Sequence, residues 1–194
     1  MSQAHDGRDD GGVSRLLAGA GKVVASVRYC WLVTESETGC GNARPMGRIL
    51  PDADENRWTI RFVTDGRSRK ASDIRRAGNV ELIFQRDPED AFVVLIGKAV
   101  VLADASEIRR FWKEAYEVYF PSDADRANAA FIEVAVERMW LWIRGVTPEP
   151  FGLRPTVLER DPAGNWHLSS ADRHAARSGQ TDIAGVLSGR VGCG

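Results

Sequence analysis

Residues 91–102 read Ala-Phe-Val-Val-Leu-Ile-Gly-Lys-Ala-Val-Val-Leu, a run in which both alternating sets of positions are apolar except at Lys98. Its β-branched residues favour an extended chain. A strand with two apolar faces needs cover on both, and a barrel wall meets that need. Phe92, near the start of the run, is expected in the barrel core.

Other strand-like segments surround it. Residues 25–34 are rich in Val, Tyr and Trp, residues 43–50 resume after the turn formers of 39–42, and residues 58–64 alternate. Residues 79–85 make a further strand, and 129–142 a last long one with a break expected near Arg138. The expected class is therefore mainly β, a β-barrel with flanking helices, and the strand order opposes a repeated βαβ pattern.

Three helices are predicted. Residues 13–22 form a short leading helix despite Gly19 and Gly21, which lower helix propensity. Residues 68–77 place Ala71, Ile74 and Ala77 along one side, and Gly78 ends them. Ile108, Phe111, Trp112, Ala115, Tyr116 and Tyr119 recur at helical spacing, so 106–119 reads as one amphipathic helix packed on the barrel. A Pro-rich link, 147–155, leads to a hairpin of 156–160 and 165–168 around Asp161-Pro162-Ala163-Gly164. The expected organisation is a disordered N-terminus over 1–12, a barrel domain over 13–146, a C-terminal extension over 147–168 and a mobile tail over 169–194.

A chain of 194 residues with 43% hydrophobic and 27% charged residues can bury one sizeable core. Its formal net charge of -1 supplies no global field for nucleic acid or an anionic membrane. The polar start lacks a signal-peptide pattern, so a cytoplasmic location is expected. Cys30, Cys40 and Cys193 form no CxxC pair, which fits a reducing compartment. His5, His167 and His174 are scattered, and no zinc set or nucleophile, base and orienter set is visible. Gly19-Ala20-Gly21-Lys22 follows no strand and lacks the third small residue of a dinucleotide fingerprint.

The strongest chemical signal is Phe62-Val63-Thr64-Asp65-Gly66-Arg67-Ser68-Arg69-Lys70, a strand running through a turn into a helix that opens with a hydroxyl and two cations. Free backbone N–H groups and the positive end of a helix dipole favour an anion at such a start, and Ser68, Arg69 and Lys70 add donors and charge. A Ser-capped surface helix with solvated basic residues is the competing reading.

Read together, these segments resemble the FMN-binding split-barrel proteins related to pyridoxamine 5'-phosphate oxidase, in the general stress protein branch. Ala43-Arg44-Pro45-Met46 is similar to that family's strand-borne segment, and Phe62-Val63-Thr64 with Ser68-Arg69-Lys70 to its strand and phosphate-binding helix. Gly97, Asp104, Trp112, Phe120-Pro121 and the strand ending at Trp142 follow in the family's order. The resemblance implies a six-stranded antiparallel split barrel, a homodimer, and FMN in clefts between subunits. It implies Arg44, Pro45, Met46 and Gly47 along the ribityl chain and ring edge, Val63 and Thr64 from the next strand, and Ser68, Arg69 and Lys70 on the phosphate. Trp142 would cover the ring from the other subunit, with dimer-core packing as its alternative role.

Two departures separate the chain from the oxidase proper. Phe92 stands where the oxidase carries a polar residue, and the nearest match to its Arg-Leu-x-Pro ending is Gly152-Leu153-Arg154-Pro155, with Leu and Arg interchanged. The resemblance thus implies a flavin-dependent oxidoreductase acting on an unidentified small molecule other than pyridoxamine phosphate. A non-catalytic flavin-binding module that stores or senses FMN remains open, as does a heme- or deazaflavin-binding relative.

Overall fold

The computed structural model describes residues 9–51 and 56–170. Residues 1–8 of the expected disordered N-terminus, part of the 51–56 turn and the tail from 171 lie outside them. The described residues open with α1 (Asp9–Ser26), followed by β1 (Tyr29–Glu35), β2 (Gly41–Gly47), β3 (Thr59–Asp65), α2 (Arg69–Ala77), β4 (Asn79–Arg86) and β5 (Ala91–Leu102). After these come α3 (Ala105–Phe111), α4 (Asp123–Arg126), β6 (Ala129–Ile143), β7 (Thr156–Arg160) and β8 (Trp166–Leu168).

Among the described residues all pairings are antiparallel, in the order β2-β1-β4-β5-β6-β7-β8, with β3 on the first half of β6 and β7 on its second half. One isolated bridge between Ile49 and Arg61 joins the chain after β2 to β3. Strands β1 to β6 thus form the expected six-stranded antiparallel barrel, split between β2 and β3. The C-terminal hairpin continues the same sheet, and Leu158 lies in the same core as the barrel residues.

Alternation sets the interior. Cys30, Leu32, Ile60, Phe62, Leu82, Phe84, Val93, Leu95, Val134, Met139 and Leu141 are all buried. The two faces of β5 differ: Ala91, Val93 and Leu95 point in, while Phe92, Val94 and Ile96 are half-buried on the outside. Phe92 is therefore not a barrel-core residue. Strand parity puts it beside Trp142, its cross-strand partner.

The break expected near Arg138 is a bulge: Ile96 pairs with Arg138 and Gly97 with Val136, leaving Glu137 unpaired. Gly97 is required there, because a Cβ would sit 2.0 Å from the Ala135 carbonyl oxygen.

Two helices depart from expectation. α1 runs 18 residues and begins at Asp9, inside the segment expected to be disordered. Its glycines disfavour a helix locally, but Val13, Leu16, Ala20, Val23 and Val24 are buried on the barrel, and tertiary burial overrides propensity. The predicted 106–119 helix stops at Phe111; Trp112 is extended, and a 3₁₀ turn follows at Glu114–Tyr116. The break lets Phe111 and Tyr116 both meet buried Phe131 edge-on, at centroid distances of 5.6 and 6.0 Å. Tyr119 stays largely exposed, unlike a core residue. Among the described residues no helix is long and apolar enough to cross a membrane.

Candidate functional site

The split between β2 and β3 brings most of the sequence-singled residues together around two hollows, whereas Ser68 lines neither. Asn42, Ala43, Arg44, Arg69 and Lys70 line a hollow of about 520 Å³. Pro45, Met46, Gly47, Val63, Thr64 and Lys70 line a neighbouring one of about 420 Å³, walled also by Tyr29, Asp65, Tyr119, Phe120 and Asp125. Lys70 borders both.

The start of α2 is unusual for a stable surface helix. Ser68 occupies the N-cap position, but its side chain caps no backbone N–H; its hydroxyl lies 3.4 Å from that of Thr64. The first turn holds no acid and two cations, which oppose the helix dipole, while Arg75 and Arg76 in the last turn complement it. Gly78 ends the helix in the left-handed region, at φ 70°, with its N–H bonded to Ile74.

Electrostatics point the same way. Burial, then the Arg44 charge, push Lys70 below the usual lysine range. Burial also lowers Arg44; Asp73 partly offsets this, and Arg69 adds to the lowering. Asp65 partly offsets the Lys70 shift, but the two acids of the neighbouring hollow have closer partners of their own. Arg67 holds Asp65 in a paired contact at 2.6 Å, which brings the carboxyl down to about 2. Asp125 accepts from the Ser122 hydroxyl at 2.6 Å in a capping box. Among the described residues neither Arg69 nor Lys70 forms a salt bridge. Mutually repelling cations around one hollow favour an anion.

Trp142 lines neither hollow. It stands on the outer face, half-buried beside Phe92. The Gly152-Leu153-Arg154-Pro155 string is also absent from the lining of both. Several contributors were not legible in the sequence: Thr34, Asp73, Tyr29, Tyr119 and Asp125 come from segments far apart in the chain. The sequence showed Tyr119 only within a helical aromatic stripe expected to pack on the barrel, and Tyr29 only within a strand rich in Val, Tyr and Trp.

Residues 18–146 match the family model described as pyridoxamine 5'-phosphate oxidase like. The chain belongs to this family. Solved structures share its fold at low sequence identity. A protein from Clostridium acetobutylicum related to general stress protein 26 is 19% identical with a TM-score of 0.61, over 75% of this chain and 94% of that one. An FMN-binding pyridoxamine 5'-phosphate oxidase-related protein from Nostoc punctiforme is 16% identical with a TM-score of 0.59, over 87% and 98%. PhzG from Burkholderia lata, in complex with tetrahydrophenazine-1-carboxylic acid, is 17% identical with a TM-score of 0.57, over 87% and 96%. No curated protein matches the chain. The likeness fixes the antiparallel split barrel with flanking helices as the fold of this family member.

Proposed function

We propose that the protein is an FMN-binding flavoprotein, with the phosphate on Ser68, Arg69, Lys70 and the start of α2, and the ring along Pro45, Met46, Gly47, Val63 and Thr64; Arg44, expected along the ribityl chain, is assigned to the phosphate as well because it shares a hollow with Arg69 and Lys70. The observation that carries this reading is the hollow lined by Arg44, Arg69 and Lys70 with no carboxylate in its lining. The donor set fits the group. Three cations and an uncapped helix start suit a phosphate, and the adjoining hollow, with Met46, Val63 and Phe120 in its wall, suits a flat apolar ring. The FMN-binding relative from Nostoc punctiforme supports the same ligand.

FMN, when bound, supplies one- and two-electron redox chemistry through its ring. Arg44, Ser68, Arg69 and Lys70 would hold the phosphate, and Pro45, Met46, Gly47, Val63 and Thr64 would place the ring in the split. Asp65 and Asp125, tied to Arg67 and Ser122, are not poised as proton shuttles. The redox partner is a small organic molecule in this reading, in keeping with the bound acid of the PhzG structure.

The outer face supports a homodimer. Cross-strand pairing aligns Pro45, Trp31, Ile83, Val94, Trp140 and Val157 in one apolar row, with Phe92 and Trp142 beside it. Trp31 is 49% and Trp140 36% exposed on the single chain. A second copy would cover such a patch, and the partner subunit's Trp142 would then reach the ring that this chain's own Trp142 does not.

The engaged state of both cleft acids also favours a second reading, a non-catalytic FMN-binding module. Purification without added cofactor, a visible spectrum, identification of the released ligand by mass and titration with FMN test the main reading. Flavin bands with FMN recovered support it; a colourless protein that fails to bind FMN refutes it. Rapid oxidation of NAD(P)H or a reduced small molecule separates enzyme from module.

A further inference from the structure

Arg44 reaches the anion hollow through a contact that no linear motif contains. Thr34 on β1 is 1% exposed and Asp73 on α2 is 6% exposed. The Thr34 hydroxyl donates to Asp73 Oδ2 at 2.7 Å and accepts from Arg44 Nη1 at 2.7 Å. Arg44 Nη2 stays 3.8 Å from Asp73 Oδ2, beyond hydrogen-bond distance. A guanidinium and a buried carboxylate this close ordinarily form a direct, often bidentate pair. Here a hydroxyl stands between them, and Arg44 lines the hollow together with Arg69 and Lys70.

We propose that Thr34 is a positioning residue whose hydroxyl holds Arg44 off Asp73 and keeps the guanidinium available to an anion in the cleft. This rests on the anion reading of that cleft given above. Valine has nearly the shape of threonine but neither donates nor accepts. In its place Asp73 captures Arg44 directly, and the hollow loses a cation. Removal of the Asp73 charge acts in the opposite sense: nothing is left to capture Arg44, and the local potential becomes more positive.

The test is calorimetric titration of the full chain with inorganic phosphate and, separately, with FMN, in the parent, Thr34→Val, Thr34→Ser, Asp73→Asn and the Thr34→Val/Asp73→Asn pair. Thr34→Val should weaken both ligands roughly three- to tenfold, the worth of one modest hydrogen bond. Thr34→Ser, which keeps the hydroxyl, should return to within about twofold of the parent. Asp73→Asn should bind at least as tightly as the parent, and the pair should match Asp73→Asn. The proposal is overturned if Thr34→Val binds like the parent, if serine does not rescue, or if the valine deficit persists without the Asp73 charge, as a general folding defect would. A parent that binds phosphate but not FMN refutes the flavin reading while the phosphate series still decides the role of Thr34. A parent that binds neither overturns both.

Discussion

Helix α1 meets the barrel through buried Val13, Leu16, Ala20, Val23 and Val24, whereas α2 meets it through Ala71 and Ile74 and places Arg69 and Lys70 in its first turn. Each departs from what an isolated helix prefers. The glycines of α1 cost roughly 1 kcal/mol apiece against alanine, yet Gly19 allows close approach, since a Cβ there would lie 2.9 Å from Val146 Cγ1. The packing explains Gly19, whereas Gly11 and Gly12 face open space and the helix holds there through its buried apolar side. Cations at a helix start cost about 0.3–1 kcal/mol each, and nothing in the packing of α2 repays them. A helix that departs from propensity for the sake of a core is structural. One that departs from its dipole beside a hollow is what the proposed phosphate site calls for.

The contrast breaks most visibly in stability. Leu16→Ala should lower the unfolding free energy by about 2–5 kcal/mol in chemical denaturation and leave the FMN affinity of the folded fraction unchanged. Loss of both together would show that the two regions are not separable. Lys70→Ala should do the reverse: FMN affinity falls roughly ten- to a hundredfold, the range of a charge-assisted hydrogen bond, while the ligand-free protein keeps or slightly raises its stability.

The same contrast sets a pH dependence. Lys70 sheds its proton below the ordinary lysine range because of burial and Arg44. A bound phosphate favours the ammonium, so affinity is present while Lys70 is protonated in the free protein and falls as pH rises through its depressed value. Affinity also declines below about pH 6, where a phosphate takes up its second proton. The contribution of Lys70 to ligand-free stability has the opposite slope: the unfolded chain binds this proton more tightly, so stability rises with pH between the folded and ordinary values. Lys70→Arg should move the alkaline loss of affinity upward. An unshifted alkaline limb would remove Lys70 from the contact.

The smallest effect concerns thiols. Burial pushes the Cys30 thiol up to about 12, and it shares the core cluster with the α1 residues. In a Cys193→Ser background at about pH 8, a thiol reagent should modify exposed Cys40 and spare Cys30. Leu16→Ala should speed Cys30 labelling. Lys70→Ala should not.

Much of the architecture was legible because strand alternation is written locally. The inward sets of β1, β3 and β4 and the helix over Arg69–Ala77 follow from neighbours in sequence. The phosphate-site candidates Ser68, Arg69 and Lys70 are contiguous and were visible for the same reason. What escaped depends on distance. The length of α1 follows from its packing on β4, β5, β6 and β8, which the glycines do not announce, and the aromatic stripe breaks at Trp112 because Phe131 offers a better seat for Phe111 and Tyr116. Phe92 was misplaced because both faces of β5 are apolar and only pairing decides which turns inward. The Thr34, Asp73 and Arg44 contact joins two strands and a helix, so no single segment displays it.

The proposed flavin is anchored by its phosphate in the split between β2 and β3. Parallel titrations of the ligand-free protein with FMN and with riboflavin, followed by flavin fluorescence, test it most directly. FMN should bind at least roughly tenfold more tightly, since riboflavin lacks the group that Arg44, Arg69 and Lys70 are proposed to hold. Equal affinity for the two would contradict the account.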